Sequence, residues 1–318
     1  MNGFLVIDKN TGMTSYDVIR RLKKLHPFNK IGYIGTLDRN ATGILPVAFN
    51  NGVKLIPFLE NSEKTYRATF LLGVTTDTLD IEGKVLSSVD VKEFKRDILA
   101  RELNKFKGKI VQQIPAYSSK KVNRKPLYKL ARKGIAVEPH LKEVEIFSIK
   151  FLDYNHPYLD VEVTCSKGTY IRALSQEFGA NLGCGSTLYS LKRTKHGEFT
   201  EDMAVNIEHF KIEEDVLHYA MSLEAILKTL RETVVETALE KFLKHGMPIP
   251  LSGDTKEWQN GEYTNCLLYT SDAADDLLCV DLGGRRIIKK KKHKINKKNK
   301  THNKKTHNTN YIMSDTPP

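Results

Sequence analysis

Residues 35–46, Gly-Thr-Leu-Asp-Arg-Asn-Ala-Thr-Gly-Ile-Leu-Pro, hold a single carboxylate, Asp38, between two glycines and among small or apolar neighbours. A chain presents one acid in this way at a tight turn beside a pocket. A solvated surface instead mixes its acids with other charges. Such a turn is only as precise as the elements that hold its ends, so the remaining sequence is read for a scaffold.

The apolar run Phe4 to Ile7 reads as a short buried strand, and residues 8–12 as a turn. Thr14 followed by Asp17 is a helix start, an N-cap with an acid in the first turn. Val18, Ile19, Leu22 and Leu25 then mark the apolar face of that helix, with Arg20, Arg21, Lys23 and Lys24 opposite. Residues 66–72 alternate Tyr, Ala, Phe and Leu with other residues, the period of a half-buried strand. Residues 91–106 are expected to form a charged amphipathic helix. Residues 143–152 and 158–164 read as strands joined in a hairpin by Asn155-His156-Pro157. Residues 170–182 read as a helix stopped by Gly183-Cys184-Gly185, and residues 186–193 as a returning strand. Short strands and helices without a βαβ rhythm argue for an α+β fold, a mixed, largely antiparallel sheet with flanking helices.

A length of 318 residues accommodates about two domains. The net charge of +12 suggests an anionic partner such as nucleic acid. Much of it sits at the end of the chain: residues 266–318 carry +7, leaving +5 for the body. That end changes character. Residues 266–275 and 280–288 read like translated sequencing adapters, and the lysine run from Lys289 like translated adenine-rich sequence; the alternative is a natural basic tail. Cys165 and Cys184 are far apart and form no C-x-x-C pair, so neither a zinc site nor a disulfide framework is expected. The N-terminal apolar run is too short for a signal peptide or a membrane span, which makes the cytoplasm the expected location.

Residues 35–46 resemble the catalytic loop of the TruB family of tRNA pseudouridine synthases, whose usual form reads G-T-L-D-P-x-A-T-G-x-L-P. Three more segments resemble the family in the same order. They are Lys64-Thr65-Tyr66-Arg67, residues 115–134 with Tyr117-Ser118, Lys121 and Leu127-Tyr128, and residues 165–172 ending in Tyr170-Ile171-Arg172. Leu191-Lys192-Arg193 also matches. The chain departs from the pattern at Asn10, Tyr33, Ile34, Arg39 and Arg124, where the family usually has proline, histidine, threonine, proline and glycine.

The resemblance implies a catalytic domain over residues 1–230 and a partial PUA-like segment over 236–265; the adapter-like text of residues 266–318 is expected to be an unstructured, non-native tail. It implies isomerisation of uridine 55 in the tRNA T-loop by base flipping. Asp38 is then the nucleophile, Arg172 its ion-pair partner, and Tyr66, Tyr170 and Leu191 the walls around the target base. Lys9, Tyr33, Lys121, Lys167 and Arg193 are placed along the RNA. The T-arm of tRNA is the expected partner, and no metal, cofactor or second subunit is called for. Without the resemblance, Tyr66 and Leu191 read first as core residues and the lysines as a solvated face. A non-catalytic RNA-binding or tRNA-folding module remains the alternative. A glycosidase would require a second carboxylate, and Asp77 and Asp80 lie in an acidic turn read as structural.

Overall fold

The computed structural model describes residues 1–118, 120–122, 125–135 and 139–227, with the strands Arg231–Val234, Asn265–Thr270, Leu278–Asp281 and Thr309–Met313. Fourteen elements frame the site. They are β1 (Gly3–Lys9), α1 (Ser15–Leu25), β2 (Ile31–Tyr33), β3 (Thr42–Phe49), β4 (Lys64–Leu72), β5 (Val74–Thr76), β6 (Val85–Ser88), α2 (Arg96–Asn104), β7 (Gly108–Gln113), β8 (Leu141–Asn155), β9 (Tyr158–Cys165), α3 (Ile171–Asn181), β10 (Ser186–His196) and β11 (Val205–Asn206).

The main sheet runs in the order β11-β1-β3-β10-β4-β9-β8-β7, with β2 on the side of β3, while β5 and β6 form a separate hairpin. Its pairings are antiparallel except β1 with β11 and β3 with β10. The fold is thus the expected mixed, largely antiparallel sheet with flanking helices. Strands β1 and β3 are buried on both faces. Leu5, Ile7, Leu45 and Val47 join the larger core cluster, and Phe4, Val6, Ile44 and Ala48 the smaller one behind the sheet. That double burial explains the unbroken apolar run of β1. β4 alternates as expected, with Tyr66, Ala68, Phe70 and Leu72 inside. Phe70 meets Phe178 of α3 at 5.9 Å between ring centroids. Truncating either ring should cost about 3–5 kcal/mol.

α1 begins as its sequence requires. Asp17 N–H donates to the Thr14 hydroxyl at 3.1 Å, and Thr14 N–H donates to the Asp17 carboxylate at 2.8 Å. The hairpin of β8 and β9 closes with Asn155 opposite Tyr158. α2 is shorter than the expected helix of residues 91–106. Phe94 N–H points to the Tyr154 hydroxyl, and Arg96 donates to the Tyr154 carbonyl at 3.2 Å, so contacts to β8 hold the chain extended up to Lys95.

The four strands from Arg231 onward form their own antiparallel sheet. Three of them fall in the stretch expected to be unstructured, where Leu267-Leu268-Tyr269 and Tyr311-Ile312 carry local strand preference. The rest of the expected domain boundary and PUA-like segment lies outside the described residues.

Candidate active site

The glycines on either side of Asp38 are required by space as well as by conformation. Gly35 and Gly43 both have positive φ, 69° and 91°. A Cβ on Gly35 would meet the His196 ring at 2.8 Å and the Arg193 guanidinium at 3.1 Å; one on Gly43 would collide with the Arg193 backbone. Glycine is what lets the loop and β3 press against β10.

Between these points the loop is tied down from below. The Ser15 hydroxyl accepts from Leu37 N–H at 2.9 Å and lies 3.2 Å from the Leu37 carbonyl. Lys9, fully buried, donates to the carbonyls of Asn10, Met13 and Arg39 at 2.9, 2.8 and 3.2 Å. Arg193, also fully buried, donates to the Ile44 carbonyl at 2.8 Å and the Gly35 carbonyl at 3.0 Å. Two internal cations therefore hold the main chain on both sides of Asp38.

Arg172 is the second residue of α3, where the helix dipole gives a cation no support. Its guanidinium is satisfied instead by three other segments. Nε lies 3.0 Å from Asp38 Oδ2. Nη1 donates to the Thr78 carbonyl at 3.0 Å and approaches Asp80 Oδ2 at 3.5 Å, and Nη2 donates to the Tyr117 carbonyl at 3.0 Å. The arginine side chain is 6% exposed and the aspartate 48%, so a fixed, buried cation orients an acid whose other side is open.

That open side faces a cavity of about 240 Å³. Its walls include Thr36, Asp38, Lys64, Tyr66, Lys167, Tyr170, Ile171, Arg172, Leu191 and Arg193. The volume falls below the roughly 300–1,000 Å³ of drug-sized pockets, which suits one flat ring. Burial pushes the Tyr66 phenol up to about 12, so it keeps its proton, and the Arg193 guanidinium sits beside it. Burial also lifts the Tyr170 phenol. Lys64 donates to the Glu60 carbonyl at 2.8 Å, and burial, with Arg193 nearby, lowers its ammonium to about 8. The arrangement offers a nucleophilic carboxylate, a cation to steady it, phenol faces for stacking and apolar patches from Ile171 and Leu191.

The structure thus brings Asp38, Tyr66, Tyr170, Arg172, Leu191, Lys167 and Arg193 to one cavity. Two of the residues assigned to RNA prove internal. Lys9 and Arg193, which the resemblance places along the RNA, donate to main-chain carbonyls, and Arg193 also lines the cavity. Tyr33 lies on β2 opposite Val47, half-buried against the core, and does not line the cavity. Lys121 belongs to a short strand, and its side chain lies outside the described residues. Sequence reasoning undervalued Asp80. Leu79, at φ 66°, turns Asp80 inward, where it reaches Arg172, accepts from the Thr78 hydroxyl at 2.6 Å and from Glu82 N–H at 3.2 Å. A left-handed leucine is uncommon and marks strain worth a function, yet nothing in the sequence announces it. Asp80 does not line the larger cavity, whose second acid is Glu60, ion-paired with Lys167 at 2.9 Å.

Residues 23–171 match the model of the TruB family pseudouridylate synthase N-terminal domain. The chain is 39% identical to tRNA pseudouridine synthase B of Clostridium tetani over 249 residues, covering 78% of this chain and 86% of that protein. The chain belongs to the TruB family. Its counterpart in Geobacter sulfurreducens, also tRNA pseudouridine synthase B, is 42% identical over 211 residues, covering 66% of this chain and 69% of the other. Among solved structures, the fold matches a chain of a Cbf5-Nop10-Gar1 complex with a TM-score of 0.59 at 24% identity, over 77% of this chain and 67% of that one. It also matches a chain of an H/ACA RNP bound to a substrate RNA containing 2′-deoxyuridine, with a TM-score of 0.58 at 22% identity, over 78% and 67%. Against the usual TruB loop, Arg39 in place of proline does not leave the loop untethered. Its Nε donates to the Gly12 carbonyl at 2.9 Å, and Gly12 N–H donates back to the Arg39 carbonyl at 3.0 Å.

Proposed function

We propose that this TruB-family enzyme isomerises uridine to pseudouridine at position 55 in the T-loop of tRNA, acting as a cytoplasmic monomer without a cofactor. The observation that carries this reading is the half-exposed Asp38 carboxylate held at the mouth of a base-sized cavity by the buried Arg172. The tRNA extrudes the uridine from its stack at a cost of roughly a few kcal/mol. Stacking on Tyr66 offsets part of that, at about 1–3 kcal/mol per base. Asp38 acts as the nucleophile, at the base or at the ribose C1′. The N1–C1′ bond breaks, the uracil turns within the cavity, and the C5–C1′ bond forms as C5 loses its proton and N1 gains one. Leu191 and Ile171 keep the detached ring against apolar surface. The protonated Tyr66 phenol offers a donor to it. Arg172 holds the carboxylate in line throughout, and Lys9 and Arg193 fix the loop that carries it.

The decisive experiment is tritium release from [5-³H]uridine in unmodified tRNA. Wild-type protein should release it, and Asp38→Asn should fall to background while still binding the tRNA. Undiminished release by that variant would refute the assignment. Binding by the wild-type protein with no release would favour the non-catalytic RNA-binding module.

A further inference from the structure

The edge strand β7 breaks its own alternation. Gly108, Ile110 and Gln112 share its more buried face, and Ile110 packs on the core cluster. The next inward position should then be apolar as well. It is instead Gln112, 1% exposed. A buried amide is kept where its donor and its acceptor are both met, and here one residue meets both. Gln112 Oε1 accepts from Tyr170 N–H at 3.0 Å, and Gln112 Nε2 donates to the Tyr170 carbonyl at 3.3 Å. The side chain thus pairs with Tyr170 as a neighbouring strand would, and it does so without lining the cavity.

We propose that Gln112 is a positioning residue for the isomerisation. Its amide clamps the entry to α3 and so sets where the Tyr170 phenol and the Arg172 guanidinium stand around Asp38. The proposal rests on the pseudouridine synthase reading and goes beyond it by assigning a task to a side chain outside the cavity.

α3 does not define its own start. Tyr170 is its N-cap, extended at φ −103° and ψ 106°, and makes no side-chain cap hydrogen bond. A short polar side chain at that position would accept from the first N–H groups of the helix. Tyr170 is committed instead to the cavity wall. Upstream, the chain is tied to β8. Ser166 N–H donates to the Glu145 carbonyl at 2.9 Å, and Lys142 donates to the Lys167 carbonyl at 2.8 Å. The chain then turns through Gly168, at φ 79°. After that turn, Gln112 holds the main chain two residues before Arg172. The segment following β7 acts on Arg172 itself, whose Nη2 donates to the Tyr117 carbonyl at 3.0 Å. Gln112 and Tyr117 therefore grip the first turn of α3 at two points. A shift of the Tyr170 peptide moves the phenol and, within one helical turn, the guanidinium that orients Asp38.

The test removes the amide while keeping its bulk. In Gln112→Leu the single-turnover rate of tritium release should fall about 10- to 100-fold, the effect of a displacement near 1 Å, while the Kd for tRNA changes by less than about twofold. Ile110→Val, on the same face of β7, should lower stability and leave the rate alone. In an Arg172→Lys background the Gln112→Leu loss should shrink, because both changes act on one guanidinium. Gln112→Glu supplies the rescue. A protonated carboxyl offers one donor and one acceptor, as the amide does, whereas a carboxylate only accepts and repels the Tyr170 carbonyl. Burial raises a carboxyl's pKa, so the rate of this variant relative to the wild type should climb about tenfold as pH falls from about 8 to about 6. A folded Gln112→Leu with the wild-type rate, losses that multiply with Arg172→Lys, or a Gln112→Glu ratio flat in pH overturns the proposal. Should Gln112→Leu not fold, the Gln112→Glu ratio decides. If the wild type releases no tritium, the isomerase reading falls, and the clamp is judged by the Arg172 Nε–H signal in ¹H–¹⁵N spectra. That signal should move in Gln112→Leu and stay in Ile110→Val; an unmoved signal overturns the clamp.

Discussion

The basic side chains around the cleft fall into two groups that use their hydrogen bonds differently. Lys9, Lys64 and Arg193 lie inside and donate to main-chain carbonyls. Arg172, also inside, divides its donors between carbonyls and two carboxylates. Lys167 stands at the rim, paired with Glu60, and Lys192 and Lys195 lie further out, paired with Glu201 and Glu63. A carbonyl satisfies a cation without cancelling its charge, whereas a carboxylate cancels it. The inner set therefore keeps its positive field, in surroundings where water screens little, around the loop that bears Asp38. The outer pairs are half-exposed and screened, and such pairs contribute about 0–1 kcal/mol each.

The most severe way to break the inner set is to remove Arg172. Arg172→Ala strips the partner from Asp38 and leaves the carbonyls of Thr78 and Tyr117 without their donor. Loss of one partner of a buried pair costs about 3–5 kcal/mol. Because Asp38 is half-exposed, the lower end of that range is expected in a denaturant titration, with kcat falling far more than KM rises. Arg172→Lys restores the charge but not the fork that reaches three segments, so it should recover stability in part and kcat least. Equal recovery of both would mean that the charge alone matters.

Next in size is Lys9→Met. It removes the donor to the Arg39 carbonyl and a positive charge that acts on Asp38. Misplacement of a reacting group by about 1 Å can cost up to about 10²-fold in rate, and the loss should appear in kcat. Lys9 also links activity to pH. Burial, only partly offset by Asp38, lowers its ammonium from 10.5 to about 8, and burial does the same to Lys64. Between pH 8 and 10.5 the unfolded chain binds more protons than the folded one, so this contribution makes stability rise with pH in that window. The field that Lys9 exerts at Asp38 is lost as pH rises through about 8. The expected result is a kcat that falls above about pH 8 while the denaturant midpoint gains from these two groups, with the kcat limb flattened in Lys9→Met.

His196 sharpens the contrast from the acid side. It is fully buried beneath Gly35, and burial, reinforced by Arg193 and Lys64, lowers its imidazole from 6.5 to about 2. The inner cations can coexist with it only while it is neutral. The unfolded chain takes up a proton as pH drops below 6.5 and the folded chain resists, so stability from this group is full above 6.5 and lost on the way down. His196→Leu should reduce the slope of stability against pH between about 6.5 and 4. An unchanged slope would show that His196 is charged in the fold.

What the sequence reveals of this site is what is local. The Asp38 turn, the Thr14–Asp17 cap and the hairpin at Asn155 to Pro157 are each set by neighbours in the chain. What it conceals depends on partners far away. The burial of Lys9 and Arg193 is not legible because carbonyls that take their hydrogen bonds belong to residues 39, 35 and 44, on other elements. β3 is masked by Gly43 and Pro46, residues that weaken a strand; close packing against the Arg193 backbone requires the glycine. Asp80 reads as a turn residue because the left-handed Leu79 that aims it is dictated by pairing with Leu188. The start of α2 is likewise displaced by Tyr154 rather than by any stop signal.

The smallest expected effect lies at the rim, and it tests the division most directly. Lys167 lines the cavity mouth, half-exposed, with its ammonium 2.9 Å from Glu60 and 3.0 Å from the Asn61 side chain. Lys167→Ala should change stability by no more than about 0.5 kcal/mol, as exposed substitutions do. If it meets a phosphate, the slope of log Kd for tRNA against log salt should shrink by roughly 0.7–0.9, one counterion's worth. The KM should rise more than kcat falls, because the residue attracts RNA and does not place Asp38. The opposite pattern, a lower kcat with an unchanged salt slope, would put Lys167 with the inner cations. A place at the rim would then no longer separate the groups that steer RNA from the groups that hold the loop.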